Sequence, residues 1–151
     1  MIQLAEEFFA AKNDLAQISV TEEVLEHLRR IHPATLSEYD DGNGLVAWIL
    51  VIPTLKSLME QFIEKQINEQ ELLDRTPVPG EYDAIYLCSA LVLPEYREKG
   101  IARQLLLNAV KSIRADHPIQ HLFYWAFSPA GKKLSASGAH ELGLELLQRP
   151  G

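Results

Sequence analysis

Between Tyr82 and Phe127 the chain runs from a long apolar stretch, through a charged loop with a single glycine, into a Leu-rich helix and a second apolar stretch. Tyr82–Leu93 is rich in Ile, Tyr, Leu and Val and reads as a strand that Pro94 ends. Leu105, Leu106, Ala109, Val110 and Ile113 recur at helical spacing, and Pro118 precedes an aromatic strand, Ile119–Phe127. Strand, helix and strand in succession call for a sheet that carries helices.

The flanks extend that pattern. Residues 2–12 read as a short amphipathic helix with Leu4, Phe8 and Ala11 on one side. A second helix, capped by Thr21 or Ser19, carries Val24, Leu25, Leu28 and Ile31 at helical spacing and stops at Pro33. Asp41-Gly42-Asn43-Gly44 is a turn signal, and Leu45–Ile52 after it reads as a strand buried on both faces. From Pro53 to about Asp74 the pattern is helical, with Leu55, Leu58, Met59, Phe62 and Ile63 along one face. Pro77, Pro79 and Gly80 then break the chain. A last helix, Pro129–Leu142, meets Gly143 and a short closing strand, Leu144–Leu147. The fold class predicted is α/β (α+β), with a mixed central sheet flanked by helices.

At 151 residues the chain fits one domain, 1–151, with enough length to bury a core without disulfides or metals. Its longest apolar run, Leu45–Ile52, is far short of a membrane span. Glu6 and Glu7 stand where a signal peptide needs positive charge, and a lone cysteine, Cys88, fits a reducing compartment. The expectation is a cytoplasmic protein. A net charge of -7 argues against nucleic-acid partners and is compatible with a cationic substrate such as an amine.

Chemistry concentrates at Leu91-Val92-Leu93-Pro94-Glu95-Tyr96-Arg97-Glu98-Lys99-Gly100-Ile101-Ala102-Arg103. The first turn of a helix presents unpaired N–H groups and a positive partial charge, which attract phosphate. Gly100 lets the backbone come close to an anion, Ala102 keeps the next turn small, and Arg97, Lys99 and Arg103 add cationic donors. On spacing alone, a helix cap with solvated charges explains the stretch equally well.

Arg97-Glu98-Lys99-Gly100-Ile101-Ala102 resembles the Arg/Gln-x-x-Gly-x-Gly/Ala signature of the GNAT N-acetyltransferase family. The apolar strand before it and the Leu-rich helix after it look like that family's central βα unit. The resemblance is sharp over about residues 82–116, looser over 117–147, and only topological before that. It implies the GNAT-like acyl-CoA N-acyltransferase fold, with acetyl-CoA as co-substrate. It places the pyrophosphate on Arg97, Glu98, Lys99, Gly100, Ile101 and Ala102, with Arg103 adjacent. It lays the pantetheine arm along the backbone of Leu91, Val92 and Leu93, where an N–H can polarise the thioester carbonyl. The implied activity is direct attack by an amine, small or peptide-borne. The alternative is a non-catalytic module of the same fold that binds CoA or works through protein contacts.

Members of that family often carry a tyrosine in the helix after the next strand. Counting from Ser128 puts Ser135 at that position, and counting back from Gly143-Leu144 puts Ala139 there. Ser135 can donate a proton through water, though a helix serine is more often structural. No carboxylate stands in the middle of Tyr82–Leu93. Strict alternation places Tyr82, Tyr86, Cys88 and Ala90 on one face, with Asp83, Leu87 and Ser89 on the other. Tyr86 is the nearest candidate for the base, and Glu81 and Asp83 are candidates through water.

His27, His32, His117, His121 and His140 form no His-Glu-x-x-His pattern, so no metal site is predicted. Cys88 has no neighbouring histidine and reads as a small buried residue. The aromatic group Phe123, Tyr124, Trp125 and Phe127 can line an acceptor pocket or fill a core. Phe62, Ile63 and Ile67 can pack inside the fold or form the face of a homodimer.

Overall fold

A computed structural model of the chain describes residues 21–42, 44–92, 99–125 and 129–150. Helix α1, Glu22–Ile31, begins where the Thr21 hydroxyl accepts the Val24 N–H at 3.2 Å. Such a cap contributes about 1 kcal/mol. Glu22 and Glu23 in the first turn and Arg29 and Arg30 in the last suit the helix dipole, while Leu25, Leu28 and Ile31 are buried. The helix predicted over 2–12 lies outside the described residues, as does Ser19.

Strands β1 (Leu36–Asp40) and β2 (Leu45–Thr54) form an antiparallel hairpin. Asp40 Oδ1 closes its turn by accepting the N–H of Gly42 at 2.7 Å and of Gly44 at 3.3 Å. β2 is buried throughout Val46–Ile52, as its unbroken apolar run predicts, and continues two residues further to Thr54.

The helical stretch predicted for Pro53–Asp74 is two helices, α2 (Lys56–Ile63) and α3 (Glu69–Arg75). Lys65 leaves the helix at φ 64°, and Asn68 starts the next one with a capping box. Its Oδ1 accepts the Glu71 N–H at 2.8 Å, and its own N–H donates to Glu71 Oε1 at 3.1 Å. The Asn68-x-x-Glu71 spacing announces that restart in the sequence. Phe62 and Ile67 are buried in the core and Ile63, partly buried, packs against it.

β3 (Ala84–Val92) pairs antiparallel with β2, and α4 (Ile101–Asp116) follows it. β4 (His121–Trp125), α5 (Pro129–Leu142) and β5 (Glu145–Arg149) complete the chain. The sheet order is β1-β2-β3-β4-β5, antiparallel from β1 to β3 and parallel from β3 to β5. A mixed five-stranded sheet flanked by five described helices matches the predicted class. α5 lies so close on α4 that a Cβ added at Gly138 would stand 2.6 Å from Leu106 Cδ2.

Candidate active site

Gly100 is the N-cap of α4 and holds φ 76°, ψ 11°, a left-handed conformation that glycine adopts without strain. Among the described residues no side chain caps this helix, and no atom lies within 4 Å of where a Cβ at Gly100 would sit. Among the described residues, the main-chain donors at the start of α4 thus have no side-chain cap. That is the geometry an anion site at a helix N-terminus needs. Ile101, Ala102 and Arg103 are half-buried, and Lys99 is exposed. Arg103 turns toward α5: its Nε donates to Ser137 Oγ at 2.9 Å, and Nη2 lies 3.4 Å from Glu141 Oε2. Its guanidinium is thus already engaged. Leu93, Arg97 and Glu98 lie outside the described residues.

Beside this terminus the sheet forks. β3 and β4 pair from Ala84↔His121 only as far as Leu87↔Tyr124. Beyond that point β3 stays with β2, where Leu91 partners Trp48 and Val92 partners Ala47. β4 stays with β5, where Trp125 partners Arg149. Among the described residues, the edge of β3 that faces the fork has no strand beside it from Cys88 to Val92. The fork lies at the carboxyl ends of two parallel strands, where open sheets of this kind bind ligands.

A bulge coincides with the fork. Leu50 partners Ser89 while its neighbour Val51 partners Leu87, so Cys88 is an extra residue on β3. Such a bulge bends the strand and shifts its alternation by one residue. The strict alternation expected from Tyr86 through to Ala90 does not survive it. Ser89 Oγ, next to the bulge, is buried with no hydrogen-bond partner among the described residues.

A buried polar cluster sits beside the bulge. Glu69, the first residue of α3, is 1% exposed. The Tyr86 hydroxyl donates to its Oε2, and the Cys88 thiol lies 3.6 Å from the same oxygen. Burial pushes the Tyr86 pKa well above its ordinary value; Glu69 and Cys88 push it the same way, and the Arg149 guanidinium opposes them. The Tyr86 phenol therefore keeps its proton and donates its hydrogen bond to Glu69. Its ring stacks on Phe123 at 5.1 Å and meets Phe62 of α2 edge-on at 4.8 Å. Arg149, 8% exposed, holds its Cζ 4.4 Å from the ring centres of both Phe62 and Trp125.

The family model for the acetyltransferase (GNAT) family matches residues 2–133. The chain belongs to the GNAT family. No curated protein and no solved structure matches it. The match reaches much further toward the N-terminus than the βα unit around Gly100 and ends before Ser135.

In this GNAT chain the candidate site residues come from five elements. β3 brings Tyr86, Cys88, Leu91 and Val92, and the start of α4 brings Lys99 to Arg103. α3 brings Glu69, and β4 and β5 bring Trp125 and Arg149. Ser135 is buried on α5, and the Tyr86 hydroxyl goes to Glu69 instead of to it. Sequence reasoning missed Glu69, because a carboxylate one residue after a helix cap looks solvated. It also missed Arg149, which lies two residues past the closing strand predicted to end at Leu147. Among the described residues no cluster of three His, Cys, Asp or Glu side chains could hold a metal ion. None of their helices is long and apolar enough to cross a membrane.

Proposed function

We propose that this GNAT chain is an N-acyltransferase that moves an acetyl group from acetyl-CoA to an amine. The observation that carries the reading is the pairing of an uncapped, glycine-started helix with a forked strand edge. Two features support the ligand: Gly100 carries no side chain at the start of α4, and the β3 edge beyond the fork offers main-chain groups to an extended pantetheine arm. Acetyl-CoA supplies an activated thioester carbonyl. The main chain of Glu98, Lys99, Gly100, Ile101, Ala102 and Arg103 holds its phosphates, with the cationic side chains of Arg97 and Lys99 beside it. The backbone of Leu91, Val92 and Leu93 aligns the arm, and an N–H there stabilises the charge that grows on the carbonyl oxygen.

The acceptor nitrogen forms its bond to the carbonyl carbon as the carbon–sulfur bond breaks. Glu69 takes the proton released from nitrogen, directly or through one water, and the departing thiolate is protonated from solvent. Tyr86 is a positioning residue that holds the Glu69 carboxylate. The buried Cys88 thiol suits the reducing cytoplasm, where acyl-CoA is used.

A second reading, a CoA-binding module without turnover, draws on Ser135 and Ala139 standing where a tyrosine is common. Thermal melting with acetyl-CoA, followed by thiol release over an amine panel, separates the two. Ligand at 100 times its dissociation constant adds about 2.7 kcal/mol of stability. A melting shift with thiol release supports the enzyme, a shift alone supports the binder, and no shift at millimolar ligand removes both.

A further inference from the structure

Arg149 is the most exceptional side chain in the described protein. A guanidinium keeps its charge at any pH that a fold survives, so burial cannot be relieved by losing a proton. Phe62 and Trp125 each lie 4.4 Å from its Cζ, and contacts of that kind are made through the planar face of the group. Its Nε and Nη1 are buried and, among the described residues, have no hydrogen-bond partner. Nη2 lies between those two atoms in the guanidinium plane. It completes one two-pronged donor fork with Nε and another with Nη1, and each fork matches the two oxygens of a carboxylate.

Position gives this unfilled donor set its significance. Arg149 partners Trp125 at the tip of the fork between β3 and β4, on the sheet face that carries Tyr86 and Phe123. Phe62 touches both the Arg149 guanidinium and the Tyr86 ring. The buried Arg149 cation and the buried Glu69 carboxylate are therefore linked through two rings, Phe62 and Tyr86. A molecule with a carboxylate at one end and an amine at the other complements that pair in sign.

We propose that Arg149 anchors a carboxylate of the acceptor, so that the amines acylated here are those of the amino-acid class. The assignment rests on the acyltransferase reading. The carboxylate fills the donors of Arg149, which otherwise stay desolvated and unpaired, and this directs the amine toward Glu69. An analogue without the carboxylate leaves the buried cation unpaired and is rejected.

The test compares amino acids with their own carboxamides and decarboxylated amines, following thiol release at saturating acetyl-CoA. The acid is expected to exceed both analogues by about tenfold or more in kcat/KM. In Arg149→Met that preference collapses, chiefly through KM, while the melting shift with acetyl-CoA persists. Equal use of acid and amide by the native protein, or a preference that survives Arg149→Met, overturns the anchor. Should Arg149→Met not fold, Arg149→Lys keeps the charge without the fork, and its preference is expected to shrink. A protein that shows no acetyl-CoA shift refutes the acyltransferase reading instead. The anchor is then read from Trp fluorescence during titration with N-acetyl-leucine and N-acetyl-leucinamide. Saturable quenching by the acid alone, lost in Arg149→Met, upholds it; identical responses overturn it.

Discussion

The Tyr86 hydroxyl donates to the Glu69 carboxylate, joining the middle of a central strand to the first residue of a short helix 17 positions earlier. The bond places a carboxylate beside a strand that has none of its own between Ala84 and Val92. The bulge at Cys88 brings a thiol to the same oxygen.

Glu69→Gln keeps the shape of the side chain and an oxygen for Tyr86, but removes the proton acceptor. Turnover is expected to fall about 10²–10⁴-fold. The melting shift with acetyl-CoA is expected to stay, because Glu69 is remote in role from the phosphate loop. Thiol-release kinetics beside a melting curve check both parts, and an unchanged kcat would move the base elsewhere.

Alkaline stability should report on Tyr86. Its folded pKa lies above the ordinary 10.0, so the native state holds the phenol proton more tightly than the unfolded chain does. The stability linked to this group is complete below about pH 10 and drains away above it, as the unfolded phenol ionises first. Tyr86→Phe is expected to flatten that alkaline loss. At neutral pH the same change costs about 1–3 kcal/mol, because a buried carboxylate loses its donor. Urea denaturation from pH 8 to pH 11 measures both effects.

Gly100→Glu places a negative side chain at the helix start where the pyrophosphate is proposed to sit. Space is open there, so the fold should lose only about 1–2 kcal/mol from the left-handed backbone. Acetyl-CoA binding by calorimetry should vanish. Gly100→Ala carries a similar backbone strain and is expected to keep most of the affinity, which separates charge from conformation.

Gly138→Ala tests how tightly α5 is held on α4. The new methyl would meet Leu106, which is itself 1% exposed and hemmed in. A loss of about 1–3 kcal/mol is expected. Adding Leu106→Ala should make the two changes less than additive in a denaturation cycle, since the second relieves the first.

Local chemistry is written in the order of residues, and much of this fold is local chemistry. Thr21 and Pro33 bound α1, the glycines after Asp40 turn the hairpin, and the unbroken apolar run of β2 declares a strand covered on both faces. Gly100 between a strand and a Leu-rich helix likewise marks where α4 begins. The split between α2 and α3 was equally visible at Asn68 and Glu71, but the apolar spacing of Pro53–Asp74 masks it. The pairing of Glu69 with Tyr86 and Cys88, and of Arg149 with Phe62 and Trp125, belongs to the tertiary structure alone. Those contacts depend on strand register, on a one-residue bulge and on how a pair of helices docks over the sheet. A single-residue slip of register would turn each side chain to the opposite face, and no short stretch of sequence specifies that choice.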